Sequence, residues 1–193
     1  LAIARLHDEG KIEYEAPVAD YWPEFAAAGK SAVTVAELLA HKAGLCGVDQ
    51  KLAIDDLYNW DKMTRLLAAQ APLWPLGSGS GYHAVTWGYL PGELVRRITG
   101  LTLGQYARAQ LTAPLDADFY IGLPESEHHR VANLVGPNHA RATTTPQAPT
   151  PPAAAPSRLF QLALANPSIR PWKDACSRAW RLAEIAAANG QAN

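Results

Sequence analysis

Apolar residues along this chain recur at three- and four-residue steps far more often than they alternate, and that spacing predicts helices rather than half-buried strands. Leu1, Ala2, Ile3 and Leu6 already show the helical period with no N-cap before them, and Gly10 supplies the stop. "KIEYEAPVADYWPEF" follows, broken by Pro17 and Pro23 into a connection too interrupted for a long regular element. In "TVAELLAHKAGL", Thr34 caps a short helix, Glu37 closes a capping box, Val35, Leu38 and Leu39 form its apolar side, and Gly44 ends it. A second helix is expected over Asp56 to Gln70, with Leu57, Trp60, Met63, Leu66 and Leu67 on one face, until "APLWPLG" breaks the pattern. A third runs from about His83 to Thr99, with a kink or a fresh start at Pro91-Gly92. Gly100 closes it, and "TLGQYARAQLTAPL" begins another, capped by Thr102 and stopped before Pro114. Leu159 to Ala165 and Arg178 to Ala188 read as two further helices, and "DADFYIGLP" as one short strand.

The expected fold is therefore mainly α, in a single domain. Residues 1–140 form the principal helical region, 141–157 an Ala/Pro/Thr-rich connector ("RATTTPQAPTPPAAAPS") of polyproline character, and 158–193 a C-terminal helical portion of the same domain. A chain of 193 residues that is 48% hydrophobic has enough apolar material for one core. Both ends read as truncation points: no initiator Met precedes Leu1, and "EIAAANGQAN" runs from a helical pattern into the turn pair Asn189-Gly190.

Charge narrows the partners. The formal net charge is -1 and no run of Lys and Arg is interleaved with aromatics, so nucleic acid is not expected. No apolar run approaches the roughly 18 residues of a membrane span, and no signal-peptide pattern opens the chain, which makes a soluble protein with a cytoplasmic default the expectation. Cys46 and Cys176 lie far apart without metal spacing and read as two reduced thiols.

Several motifs fail on inspection. "GKS" at Gly29 to Ser31 ends like a phosphate loop, but Glu24 stands where the first glycine belongs and no strand precedes it. Gly77, Gly79 and Gly81 do not match a dinucleotide fingerprint. His128 and His129 are adjacent and cannot face one way from a helix, while His83 and His139 are isolated; ordinary hydrogen bonding is the reading for all four, and no metal or other cofactor is expected. One group stays open. Tyr82 ends "GSGSGY" and is either an aromatic anchor after a flexible turn or a catalytic phenol. As a base it would need a cationic neighbour, because an ordinary phenol has a pKa of about 10.

The runs "YWPEFAAAGKSAVTVAELLAHKAGL" and "LWPLGSGSGYHAVTWGYLPGELVRRITGLTLGQYARAQLTAPL" resemble the serine beta-lactamase-like family, especially its esterase and class C-like branch. The likeness continues through "DFYIGLP" and "WRLAEIAAANG" and leaves out only the proline-rich connector. It implies the helical region of a penicillin-binding-protein-like α+β fold, with most of the antiparallel sheet supplied from outside this chain. It implies attack of a serine on an ester or cyclic amide, an acyl-enzyme, and transfer to water, without a cofactor. Tyr82 takes the position of the family's proton-transferring tyrosine. Ala84 stands at the asparagine of the lactamase pattern, which favours esters over antibiotics.

The family's Ser-x-x-Lys motif is absent. Three residues after Ser31, Ser78, Ser80, Ser126, Ser157, Ser168 and Ser177 stand Thr34, Gly81, His83, His129, Phe160, Pro171 and Trp180. The resemblance therefore implies that the isolated chain is inactive and that a complementary chain segment, or self-association, covers its apolar surface. Tyr21, Trp22, Trp74 and Trp87 join Tyr82 as candidates for the substrate wall, with core packing as the competing role. A non-catalytic helical interaction module and a beta-lactam hydrolase or peptidase-like relative are the alternative functions.

Overall fold

In the computed structural model of the chain, residues 1–134, 157–169, 174 and 176–183 are described. Among them the α-helices are α1 (Ala2–Asp8), α2 (Val18–Tyr21), α3 (Val35–Leu39), α4 (Trp60–Ala69), α5 (Tyr89–Thr99), α6 (Leu103–Ala107), α7 (Arg158–Leu164) and α8 (Arg178–Leu182). The connector lies outside the described residues except for Ser157, whose side chain accepts from Phe160 N and caps α7. His139 and the residues after Ala183 lie outside them too.

Local chemistry sets most of the boundaries. Thr34 and Glu37 form the expected capping box of α3, and Thr102 with Gln105 does the same for α6. The helix expected from Asp56 is two elements. The Asp56 carboxylate accepts from Ala53 N at 2.9 Å to fix a 3₁₀ turn, Ile54–Tyr58, and Asn59 then caps α4 by accepting from Lys62 N. The helix expected from His83 begins only at Tyr89, which leaves Pro91 in the first turn, where its missing N–H has no intrahelical partner to lose. Gly100 closes α5 in the left-handed conformation, φ 72°. Beyond Ala107 the helix passes into a π turn, Arg108–Thr112, and a 3₁₀ turn, Ala113–Leu115, so helical character continues past Pro114 instead of stopping before it.

The expected strand in residues 116–124 does not form. That segment pairs with no neighbouring strand, although Leu123 N donates to Arg181 O at 2.7 Å. Among the described residues the only β pairing is two isolated bridges, Pro17 with Thr34 and Ala165 with Ser168. None of the described helices is long and apolar enough to cross a membrane.

The core gathers around α5. Every residue from Tyr89 to Val95 is buried, and α1, α2, α3, α4 and α6 all pack against this helix. Gly92 allows the closest approach, since a Cβ there would lie 2.6 Å from the Trp60 ring. Glu93, buried in the same turn, has both oxygens satisfied, one by Trp60 Nε1 at 2.7 Å and the other by Arg97 Nε at 2.8 Å. Arg97 extends the network to Glu24 at 2.7 Å and lies over the Trp22 ring.

Lys30 joins the layer below α4. Its ammonium is fully buried and donates to the carbonyls of Ala27 at 2.7 Å, Ala68 at 3.0 Å and Gln70. This lysine, the one that made Gly29 to Ser31 look like a phosphate loop, is committed to three backbone oxygens. Burial pulls its pKa down to about 8, so at neutral pH it still carries the three N–H donors those carbonyls need. We expect Lys30→Met to lower stability in urea denaturation by roughly 2–5 kcal/mol, because it strands buried acceptors. Between about pH 8 and 10.5 the unfolded chain holds more of this proton than the native one, so the stability gap between wild type and Lys30→Met should widen as pH rises through that window.

Candidate active site

Two segments meet behind Tyr82: the loop that leaves α3, and the stretch from Pro72 to the start of α5. Leu73 N donates to Gly44 O at 2.8 Å, and a Cβ on Gly44 would fall 2.7 Å from Pro72 Cβ. With φ at 71° as well, position 44 has both a conformational and a steric need for glycine. Further along, Gly81 N donates to His41 O at 3.1 Å, and His83 N donates to His41 Nδ1 at 3.1 Å. Leu45 is gripped on both sides of its peptide unit. Its N–H donates to His83 Nε2 at 3.1 Å and its carbonyl accepts from Thr86 Oγ1 at 2.5 Å.

These bonds define the state of His83. Nε2 accepts a hydrogen bond from a backbone amide, so Nδ1 must carry the ring's own proton and donate a hydrogen bond to Gly81 O at 2.6 Å. The ring is 1% exposed, and burial draws its pKa down to about 4, with the contact to Gly81 O opposing that shift. His83 is therefore not an isolated residue. It is a neutral latch between the two segments. His41 is partly buried, and its pKa is likewise lowered by burial.

Tyr82 stands between these anchored residues with 69% of its surface open. Its ring centroid lies 4.9 Å from that of His41. It borders a cleft of about 510 Å³ lined by Cys46, Trp74, Ser78 to Gly81, and the α7 residues Leu159, Phe160, Ala163 and Leu164, with no charged side chain among them. α7 is fixed by contacts that are distant in sequence. Asn166 donates to Val48 O at 2.6 Å and Gln50 O at 2.8 Å and accepts from Leu52 N at 2.9 Å, while Arg158 pairs with Asp49. Any side chain on Gly47 would collide with Leu162.

The other expected wall residues divide. Trp74 lines the cleft and meets the His83 ring edge-on at 6.1 Å, and a Cβ on Gly81 would come within 2.7 Å of its indole. Trp87 also meets the His41 ring, tilted at 38° with centroids 5.9 Å apart, and lines a different groove. Trp22 is core: it is 1% exposed and packs against Phe25 beneath Arg97. Tyr21 OH accepts from Glu13 N at 2.9 Å and helps brace that connection. The sequence reading overlooked His41, Cys46 and the apolar face of α7. The "AHKAGL" run was visible, but nothing local announces that its histidine meets residues 81–83. Among the described residues no cluster of three His, Cys, Asp or Glu is arranged to hold a metal. His128 and His129 instead contact the carbonyls of Leu123 and Ser126. Cys46 and Cys176 are both free thiols.

The described residues thus form a mainly helical domain that presents Tyr82 at the rim of an apolar cleft. The chain belongs to the Beta-lactamase family, whose family model matches residues 1–193. It is 42% identical over 142 residues to the esterase/beta-lactamase LipL of Mycobacterium tuberculosis, a match covering 72% of this chain and 33% of that protein. Among solved structures, a family VIII carboxylesterase is 44% identical with a TM-score of 0.82, covering 96% of this chain and 47% of its own. A penicillin-binding protein homologue from Caulobacter crescentus is 44% identical with a TM-score of 0.74, covering 95% and 46%. The chain thus spans about a third of the curated relative and about half of the solved ones.

The latch predicts acid sensitivity. Native His83 takes up its proton near pH 4 and the unfolded residue near 6.5, so the unfolded state binds more protons between these values. Stability from the neutral ring is complete above pH 6.5 and is lost as pH falls toward 4, by up to roughly 3 kcal/mol. Chemical denaturation across this range should show the loss in wild type, and a shallower one in His83→Gln.

Proposed function

We propose that this chain is the tyrosine-bearing part of a serine hydrolase that cleaves esters through an acyl-enzyme. The single observation that carries the reading is Tyr82, exposed at the rim of an uncharged apolar cleft and anchored through the residues on both sides of it. The serine Oγ attacks the ester carbonyl carbon and loses its proton to a base. The tetrahedral oxyanion then collapses, the C–O bond to the alcohol breaks, and the departing alkoxide takes up a proton. Water repeats the attack on the acyl carbon and releases the acid. Tyr82 relays the proton between the attacking and leaving oxygens. The apolar part of the ester lies against Trp74 and the face of α7. Serine and lysine come from outside residues 1–193, since no serine here begins a Ser-x-x-Lys motif.

Esters are favoured over lactams by position 84. Ala84 is 3% exposed and offers a methyl group where the lactamase pattern has an amide able to bind a polar substrate group. In the longer hydrolase, Tyr82→Phe is expected to preserve the fold and lower turnover of a short activated ester by roughly 10²- to 10⁴-fold, the range of a lost acid–base group. The isolated chain should show no efficient turnover. Equal rates for wild type and Tyr82→Phe would remove Tyr82 from the reaction, and robust inhibitor-sensitive turnover by residues 1–193 alone would overturn the placement of the nucleophile.

A second surface supports the placement of this chain within a larger fold. A groove of about 620 Å³ is lined almost wholly by apolar residues, among them Ile3, Leu39, Trp87, Val95, Leu103, Leu111, Phe119 and Ile121. We propose that the remainder of the same hydrolase, including its antiparallel sheet, covers it. Alone, the chain should self-associate in sedimentation runs as concentration rises and bind a dye for exposed apolar surface. Strictly monomeric, dye-silent behaviour would refute this.

A further inference from the structure

His41 meets Tyr82 in a way its sequence neighbours do not explain. It is a non-glycine residue held in the left-handed region, φ 62°, a conformation that disfavours a side chain with a Cβ. That turn of the backbone aims two acceptors of one residue at one short segment. The His41 carbonyl takes the N–H of Gly81 and the His41 ring Nδ1 takes the N–H of His83, each at 3.1 Å. The bonded amides are those immediately before and after Tyr82. The ring also has three aromatic neighbours, Tyr82 at 4.9 Å, His83 at 5.2 Å and Trp87 at 5.9 Å between centroids, all tilted to it.

We propose that His41 is the positioning residue for Tyr82: its carbonyl holds the backbone before the phenol at Gly81, and its ring holds the backbone after it at His83 while Nδ1 is unprotonated. The inference rests on Tyr82 being the proton-relaying group. Three observations converge on it. Glycines at 77, 79 and 81 allow the approach to an exposed tyrosine many backbone conformations, and the two His41 bonds restrict them next to the phenol. Because Nδ1 accepts, the neutral ring must carry its proton on Nε2, the opposite tautomer to His83, which donates from Nδ1. Burial disfavours the charged His41 ring, in keeping with an acceptor that must stay empty, and His83 adds no positive charge while it is neutral.

The test uses the 193-residue chain labelled with ¹⁵N and needs no turnover. Long-range proton–nitrogen spectra at neutral pH should show His41 as the Nε2–H tautomer with a hydrogen-bonded, unprotonated Nδ1; a proton on Nδ1 would overturn the proposal. In His41→Leu the His83 amide should exchange roughly three- to tenfold faster, the effect of one lost hydrogen bond, and Tyr82 resonances should broaden. Asn tolerates the left-handed backbone and places Oδ1 where Nδ1 stood, so His41→Asn should restore protection. Unchanged exchange in His41→Leu, or no recovery in a folded His41→Asn, counts against the role, and should His41→Leu fail to fold, the tautomer and the Asn variant decide. A Tyr82→Phe hydrolase that keeps full turnover would defeat the functional reading while leaving these measurements to judge the positioning by themselves.

Discussion

The structure depends on burying α5 without leaving a charge or an open hydrogen bond inside. A helix enclosed over Tyr89 to Val95 must be apolar on nearly all sides, and the two positions that break the rule are each compensated. Gly92 has no side chain, and that absence seats the Trp60 indole on the helix backbone. Glu93 carries a charge, and the same indole supplies one of its donors while Arg97 supplies the other. Burying a lone carboxylate would cost several kcal/mol, so packing and charge are here a single constraint. Tyr89 adds a third tie, donating from its hydroxyl to Leu57 O at 2.6 Å.

From that fixed helix the site is built backwards along the chain. The turn of residues 83–87 leads directly into α5 and holds Leu45 by both its amide and its carbonyl. The loop after α3 is thereby locked to the start of the central helix, and Tyr82 projects from the junction. An exposed phenol on a rigid mount is a different object from an exposed phenol on a loop: its surface is open, but few of its backbone conformations are. Preorganisation of this kind is what a proton relay requires, since reacting groups must meet without first searching for one another.

Much of the helical layout was legible in the sequence because caps and glycine stops are local signals. Thr34 with Glu37, Thr102, Gly10 and Gly100 all act within a turn of where they stand. The boundaries that shifted did so where a short-range bond competes with periodicity, as when Asp56 holds a 3₁₀ turn and hands the start of α4 to Asn59. Tyr82 and Trp74, two of the wall candidates named from the sequence, both border the cleft. His41 was not named, because its partners are some forty residues away and its value lies in a backbone angle that no residue pattern spells out. Trp22 shows the converse limit. A tryptophan beside a tyrosine fits binding surface and core alike, and the packed fold decides for core beneath Arg97.

The attachment of α7 has a bearing on which residues the cleft wall constrains. Asn166 makes its bonds to the main chain of Val48, Gln50 and Leu52, across a separation of more than 110 residues. Ties that far apart carry a larger loop-closure cost than the local caps do, by an amount that grows only slowly with separation. The wall of the cleft beside Tyr82 therefore rests on ties between segments that are remote in the chain. Because Asn166 reads backbone rather than side chains, its bonds place no demand on the side chain of exposed Gln50, whereas Val48 and Leu52 are held to apolar identities by their own burial in the core.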